Sequence, residues 1–270
     1  MTVAPARAKL NLALVVGPTR PDGKHEVATV MQALDLADAI ELAPAPQLDV
    51  TGFHEDTLVR AALERLAEAA GVLPGWAVKI TKRIPVAAGL GGGSSDAATA
   101  LRLANETLAK PVSPDQLREL AAGVGADVPF FLDERPALGA GDGSTLTRLD
   151  LPQDYRVLLL LPNGAAKTST AAVYAAFDER GGENGFTERR AHLQAALGRI
   201  RHASDLATLP PNDLASSPLA DELRKLGAFR ADVTGAGPTV YGLFADRPSA
   251  ERAGAAMQAL GRVWFALPTW

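Results

Sequence analysis

The chain of 270 residues contains no cysteine. Disulfides, iron–sulfur clusters, thiolate zinc sites and cysteine nucleophiles are therefore excluded, and the absence suits a reducing cytoplasm. An excess of positive charge is also missing, because the formal net charge is -4, so no general basic surface is present for nucleic acid. No apolar run reaches the length of a membrane span, and the first residues lack a recognisable signal-cleavage site. We expect a cytoplasmic protein that binds neither nucleic acid nor membrane.

The composition is that of a folded protein, with 47% hydrophobic and 21% charged residues. In the first half, hydrophobic spacing and turn residues predict strands near 4–16, 27–34, 38–43, 47–51 and 76–82, helices near 56–70 and 95–108, and a third helix beginning at Ser113. In the second half they predict strands near 155–161, 230–234, 239–244 and 262–267 and helices near 168–178, 187–199, 216–226 and 248–260. This interleaving indicates an α+β fold with two domains, 1–150 and 151–270.

A glycine-rich stretch connects a predicted strand to a predicted helix. Gly89, Gly91, Gly92 and Gly93 fall within one short segment. Glycine allows backbone conformations with positive φ and lets amide N–H groups approach a ligand closely. The helix that follows adds further N–H groups and the positive end of its dipole. We favour an anion site over a connection needed only for packing, because a tight connection requires fewer glycines.

Three polar residues follow these glycines. Ser94 and Ser95 are placed to cap the helix or to donate to phosphate oxygens, whereas Asp96 would repel a phosphate unless it pairs with a metal or a base. The loop is not a Walker loop, because no lysine follows the glycines. The dinucleotide fingerprint also fails, since its last glycine position holds Ser94. A less common kind of phosphate loop remains.

Two charged residues lie in apolar surroundings. Lys9 falls inside a predicted strand, and Asp127 lies between a glycine and a hydrophobic run. A buried charge is costly unless it is paired. If the two meet, the carboxylate could accept a hydroxyl proton while the ammonium stabilises the alkoxide; alternatively, they form a structural ion pair or the lysine faces water. The histidines show no metal-ligand spacing.

Several segments together resemble a known family. Residues 82–98, KRIPVAAGLGGGSSDAA, resemble the ATP-phosphate loop of the GHMP kinases, which act on galactose, homoserine, mevalonate and related small molecules. Residues 234–239, TGAGPT, resemble the C-terminal glycine motif of that family, although alone they are typical of a hairpin turn. Residues 6–16, 21–32 and 125–131 narrow the resemblance to a kinase of the non-mevalonate isoprenoid route whose alcohol substrate carries a cytidine diphosphate.

The resemblance implies a GHMP kinase fold, with an unusual βαβ unit in the N-terminal domain, a ferredoxin-like C-terminal domain and the active site between them. It implies ATP as cofactor, with Mg²⁺ accompanying the nucleotide. Ser95 is a candidate metal ligand and Asp96 a weaker one, and the ligand set stays open. The implied ATP contacts are Pro85, Val86, Ala87, Ala88, Gly89, Leu90, Gly91, Gly92, Gly93, Ser94 and Ser95.

The resemblance also assigns roles to individual residues. Asp127 matches the catalytic aspartate of the family, and Lys9 matches the lysine that positions and polarises the substrate hydroxyl. The positions that match substrate contacts are Asn11, Lys24, His25, Thr170, Tyr174, Gly235 and Gly237.

The cytidine end contains one departure from the family pattern. His25 matches a position at the cytosine and Tyr174 an aromatic place that stacks on the base, but Lys24 stands where the family usually has a second stacking tyrosine. Cytidine recognition is therefore expected to depend on His25. Alternatives are another GHMP kinase for a mevalonate-like or homoserine-like alcohol, a non-catalytic binding protein and, more distantly, a nicotinamide dehydrogenase. We expect a small-molecule partner and a monomer or weak homodimer.

Overall fold

The computed structural model describes residues 1–54, 56–165 and 169–270. The strands of these residues are β1 (Thr2–Thr19), β2 (His25–Pro44), β3 (Asp49–Thr51), β4 (Trp76–Thr81), β5 (Ala137–Ala140), β6 (Thr145–Arg148), β7 (Arg156–Pro162), β8 (Arg230–Val233), β9 (Val240–Phe244), β10 (Gly261–Ala266) and β11 (Pro268–Thr269). The α-helices are α1 (Leu58–Ala70), α2 (Gly92–Thr107), α3 (Pro114–Val124), α4 (Thr170–Glu179), α5 (Phe186–Leu197), α6 (Pro218–Lys225) and α7 (Arg247–Met257). Short 3₁₀ helices span Val128–Leu132 and Ala203–Thr208. No helix among these residues is long and apolar enough to cross a bilayer.

The chain forms two compact units, each made of several segments. The first unit contains Met1–Ala8, Leu36–Val86 and Gly91–Glu134, and the second contains Lys9–Asp35, Ala87–Leu90 and Arg135–Trp270. The domain boundary expected near residue 150 stays a prediction.

In the first unit, a βαβ element packs beside two further helices. β3 and β4 pair in parallel, and α1 connects them, which agrees with the βαβ unit that the resemblance implies. The other edge of β4 pairs with the second half of β2 in antiparallel register. The buried residues of α1 recur at helical spacing and face the unit's core: Val59, Ala62, Leu63, Leu66 and Ala67.

In the second unit, a 4-stranded antiparallel sheet has the order β10-β7-β9-β8. The strands and helices follow one another as in a βαββαβ arrangement. Residues 157–160 of β7 are buried, and Leu158 and Leu160 pack with Phe244 of β9. Leu223 of α6 and Met257 of α7 close the same core cluster.

One long strand replaces two that the sequence predicts. β2 runs without a break from His25–Pro44, whereas strands near 27–34 and 38–43 were expected. Asp38, where the second expected strand begins, is buried, and its carboxylate accepts hydrogen bonds from distant parts of the chain. β5, β6, β11 and both 3₁₀ helices have no counterpart among the predicted elements. The helix predicted near 168–178 begins outside the described residues, and α4 occupies its described part.

Candidate active site

The glycine-rich loop connects the end of β4 to α2. Ala87, Gly89 and Gly91 adopt left-handed backbone conformations, with φ values of 53°, 80° and 71°. Such a conformation is strained for alanine and commonly marks a functional segment. Gly91 is the N-cap and the helix begins at Gly92, earlier than the predicted start at Ser95.

The early start of α2 changes the role of the two serines. Ser94 and Ser95 lie within the first turn, so the expectation that they cap the helix is wrong. The first-turn N–H groups of a helix have no acceptor within the helix, which makes this turn suitable for an anion. Ser94 is partly exposed, whereas Ser95 is buried and its Oγ has no hydrogen-bond partner among the described residues.

The two glycine motifs pack against each other within the second unit. A Cβ built on Gly89 would lie 2.3 Å from the carbonyl oxygen of Thr234 and 3.1 Å from that of Gly237. A Cβ on Gly235 would lie 3.1 Å from the carbonyl oxygen of Gly89. Thr234 Oγ1 donates to the same Gly89 oxygen at 3.3 Å. The 234–239 segment connects β8 to β9 as the expected hairpin, and its glycines also allow the close approach of the glycine-rich loop.

Lys9 lies beside the contact between the two glycine motifs. Its backbone N–H donates to the carbonyl of Leu90 at 2.9 Å, so β1 is hydrogen-bonded to the loop. The side chain is buried, at 3% exposure, and Nζ donates to Asn11 Oδ1 at 2.6 Å. The backbone N–H of Asn11 donates to Thr234 Oγ1 at 3.1 Å. The structure thus brings Lys9 and Asn11 together with both glycine motifs.

A second threonine orients the amide of Asn11. Asn11 Nδ2 donates to Thr29 Oγ1 at 2.7 Å, and that hydroxyl donates to the carbonyl of Ala13 at 2.9 Å. Because Nδ2 is held by Thr29, Oδ1 of Asn11 is directed to the ammonium of Lys9. Sequence reasoning missed Thr29, since no local pattern marks it.

Asp127 lies at the start of a 3₁₀ helix, in a different unit from Lys9. It is the N-cap residue of the 3₁₀ helix Val128–Leu132, and its carboxylate accepts no capping hydrogen bond from that helix. The residue is partly exposed and belongs to the first unit, whereas Lys9 belongs to the second. Their convergence stays a prediction.

Asp96 pairs with a basic side chain. The sequence predicts a metal or a base beside this carboxylate, because it would otherwise repel a phosphate. Its Oδ2 lies 2.7 Å from Nζ of Lys82, which follows β4. The ammonium offsets the negative charge of the carboxylate at the start of α2. Lys82 was not identified from the sequence as a functional residue.

His25 is held on several sides within the second unit. Nδ1 donates to the carbonyl of Gly17 at 2.9 Å, and Nε2 lies 3.4 Å from Asp178 Oδ1. The ring stacks on Tyr174, with centroids 4.8 Å apart, and meets the edge of Phe177. The structure thus brings His25 and Tyr174 together.

Lys24 forms an ion pair with a residue far along the chain. Its Nζ lies 2.5 Å from Oδ2 of Asp142, and Oδ1 of the same carboxylate accepts hydrogen bonds from the N–H and hydroxyl of Ser144. Partial burial acts to raise the pKa of Asp142, but the bonds from Lys24 and Ser144 outweigh it and lower the pKa to about 2. Lys24 is about half exposed, with 52% of its side chain accessible. Nothing in the sequence around Asp142 indicates this pairing.

The remaining predicted contacts lie on α4. Thr170 is the exposed first residue of the helix, and Ser169 caps it by accepting from the N–H of Ala172 at 3.2 Å. Thr170 and Tyr174 are four residues apart and share a helix face. Tyr174 also packs against a buried cluster that includes Val27 and Phe177.

Two family models match this chain. The model for the GHMP kinases N terminal domain matches residues 57–134, and the model for the GHMP kinases C terminal matches residues 193–263. A crystal structure of mevalonate kinase superposes with a TM-score of 0.80, covering 100% of both chains at 15% identity, which shows a shared fold. The fold and the paired glycine motifs therefore define a GHMP kinase, an ATP-using kinase of small molecules.

Proteins with higher sequence identity show which family of GHMP kinases this chain belongs to. The chain is 42% identical to the 4-diphosphocytidyl-2-C-methyl-D-erythritol kinase of Pelotomaculum thermopropionicum, over 93% of this chain and 91% of the relative. A crystal structure of 4-(cytidine 5'-diphospho)-2C-methyl-D-erythritol kinase superposes with a TM-score of 0.80, at 30% identity and with 100% of both chains covered. The chain belongs to the family of 4-diphosphocytidyl-2-C-methyl-D-erythritol kinases.

Proposed function

We propose that this protein transfers the γ-phosphoryl group of ATP to the 2-hydroxyl of 4-diphosphocytidyl-2-C-methyl-D-erythritol, in the non-mevalonate route to isoprenoid precursors. The main support is the position of Lys9, a buried ammonium on a strand hydrogen-bonded directly to the phosphate loop. An ammonium held at that place can stabilise negative charge that develops on an acceptor oxygen.

The proposed mechanism divides the work between the loop and two side chains. The N–H groups of the loop and of the first turn of α2 hold the nucleotide phosphates. Lys9, directed by Asn11, polarises the acceptor hydroxyl, and Asp127 accepts its proton. Phosphoryl transfer passes through a loose transition state, so positioning and charge neutralisation contribute most of the rate.

Mg²⁺ is proposed as the companion of ATP. The orphaned and buried Oγ of Ser95 fits an oxygen ligand for such an ion. Asp96 fits less well, because Lys82 already binds one of its oxygens. Within the described ranges no group of three or more histidine, aspartate or glutamate residues could hold a metal, so the phosphates would supply much of the coordination. The ion would neutralise charge on the transferring group.

The cytidine end of the substrate is proposed to bind near His25 and Tyr174. The imidazole and the phenol ring offer polar and stacking surfaces for a base. Thr170 extends this surface along α4, and Lys24 adds a positive charge beside His25 that suits a diphosphate. We also propose that Gly235 and Gly237 admit the substrate chain close to the backbone, and that the enzyme acts in the cytoplasm as a monomer or weak homodimer.

A coupled ADP-release assay tests this function. Purified protein is mixed with ATP, Mg²⁺ and one of three acceptors: the cytidyl substrate, mevalonate or homoserine. We expect ADP release only with the cytidyl substrate. Release with mevalonate or homoserine instead would assign another GHMP kinase activity. Thermal stabilisation by the cytidyl substrate without turnover would indicate a binding protein.

Replacing Lys24 by tyrosine tests the departure at the cytidine end. A ring at this position adds a stacking surface beside His25, and stacking on a base contributes roughly 1–3 kcal/mol. We expect Lys24→Tyr to lower the KM for the cytidyl substrate by about ten-fold with little change in kcat. Lys24→Met, which removes the ion pair to Asp142 without adding a ring, is the control. An equal KM in the Tyr and Met variants would rule out stacking at this position.

A further inference from the structure

Three charged side chains that the proposed mechanism does not use form a buried network at the base of the phosphate loop. Asp38 lies in β2, Lys82 follows the end of β4, and Asp96 is the fifth residue of α2. The carboxylates of Asp38 and Asp96 are 0% and 1% exposed, and the side chain of Lys82 is 15% exposed. All three belong to the first unit.

Lys82 bridges the two carboxylates. Its Nζ donates to Oδ2 of Asp38 and, at 2.7 Å, to Oδ2 of Asp96. The ring of Phe53 covers the ammonium, with its centroid 5.6 Å from Nζ. The lysine thus connects the strand that enters the loop to the helix that leaves it.

Asp38 also holds the backbone where the chain enters the loop. Its Oδ1 accepts the N–H groups of Arg83, at 2.5 Å, and Ile84, at 2.8 Å. One carboxylate therefore binds the lysine and two successive backbone amides. The direction in which the chain enters the loop is fixed by these bonds.

The first residue of α2, which follows the loop, lies close to the same network. A Cβ on Gly92 would lie 3.2 Å from Nζ of Lys82 and 3.4 Å from Oδ2 of Asp38. The first residue of α2 is therefore packed against the charged groups, and a larger residue would push the helix away. This contact gives Gly92 a packing role in addition to its place in the phosphate loop.

The charge balance of the network argues against a role in stability alone. Two buried carboxylates share one ammonium, and buried ion pairs frequently contribute less than apolar residues of the same size. An arrangement with this cost is better explained by the geometry that it imposes on the loop.

We propose that the network of Asp38, Lys82 and Asp96 is a positioning device for ATP, which fixes the distance between the two ends of the phosphate loop and directs the first turn of α2 at the nucleotide phosphates. None of the three residues needs to touch the substrate in this role. The inference deepens the proposed kinase function, and its action falls on the nucleotide rather than on the acceptor.

Lys82→Met removes the bridge while keeping a chain of similar length. We expect the Kd of a non-hydrolysable ATP analogue, measured by calorimetry, to rise about ten-fold, because small displacements of positioning groups have large effects. The KM for ATP should rise in parallel, with little change in the KM for the cytidyl substrate. Lys82→Arg should recover most of the affinity, since a guanidinium can bridge two carboxylates.

Lys79→Met is the matched control. Lys79 lies in β4, three residues before Lys82, and pairs with Glu41 at 3.1 Å, but the pair is exposed and lies outside the network. We expect the control to bind the analogue like the unmodified protein. If Lys82→Met fails to fold, Asp38→Asn replaces it: the backbone bonds to Oδ1 can persist while an amide group faces the ammonium, and we expect a Kd about three-fold higher.

Two results would overturn the inference. One is a folded Lys82→Met protein, or its Asp38→Asn replacement, that binds the analogue as tightly as the unmodified protein. The other is an equal weakening of nucleotide and acceptor binding, which would indicate general loosening of the structure. Analogue binding requires no acceptor, so inactivity toward the cytidyl substrate would refute the proposed function and leave this inference standing.

Discussion

Asp127→Asn is expected to lower kcat by about a thousand-fold, because the amide cannot accept the proton of the acceptor hydroxyl. The KM for ATP should change little, since the phosphate loop is untouched. Asparagine has nearly the same shape and volume as aspartate, so the substitution removes the charge and keeps the packing. We therefore expect the melting temperature to stay close to that of the unmodified protein. Steady-state kinetics and thermal denaturation measure the two effects.

Asp133→Asn provides the control for this experiment. Asp133 is the C-cap residue of the same 3₁₀ helix, so the substitution makes the same chemical change a short distance away. We expect it to retain native turnover. Turnover near the native rate in a folded Asp127→Asn protein would show that another group accepts the proton, and the role proposed for Asp127 would have to be withdrawn.

Lys9→Ala is expected to lower kcat by about a hundred-fold to a thousand-fold, as found when an electrostatic donor at a reacting oxygen is removed. The same change leaves Oδ1 of Asn11 without the bond that it accepts at 2.6 Å. An unsatisfied buried acceptor costs about 1–3 kcal/mol, so we also expect a lower melting temperature. Assays must therefore be run well below that temperature.

Lys9→Met separates the charge of Lys9 from its volume. The methionine fills most of the space of the lysine stem but carries no ammonium, so it should lose as much turnover as alanine and retain more stability. If Lys9→Met turns over at the native rate, the ammonium does not act on the acceptor hydroxyl, and the residue serves packing alone.

The parts of the fold set by local interactions could be predicted from the sequence. Ser113 and Gln116 form the capping box expected at the start of α3, because both partners lie within one helical turn. The apolar run of β7 is a buried strand, and the turn at 234–239 connects two paired strands as expected. These features depend on neighbours in the chain, so spacing and residue type were sufficient to find them.

The features of the fold that the sequence did not predict depend on residues far apart in the chain. Within the continuous β2, the carboxylate of the buried Asp38 accepts hydrogen bonds from Arg83 and Ile84, 45 and 46 residues away. The helix α2 begins before Ser95 because Gly92 can approach Lys82 and Asp38. No local pattern contains this information.

The candidate site likewise contains residues that the sequence could identify and residues that it could not. The glycine loop and Lys9 stand out through composition and through a charge in an apolar strand. Thr29 and Asp142 do not, because their importance comes only from the partners that folding brings to them.

The backbone contact between Gly89 and Thr234 limits how such enzymes can exchange parts. A chimera that joins the N-terminal half of this chain to the C-terminal half of a distant kinase inherits the two sides of this contact from different parents. Any side chain larger than hydrogen at 89 would meet the carbonyl of residue 234 at 2.3 Å. Recombination between relatives should therefore succeed mainly when both glycine motifs come from the same parent, and paired changes at these two positions are the ones to examine in shuffled libraries.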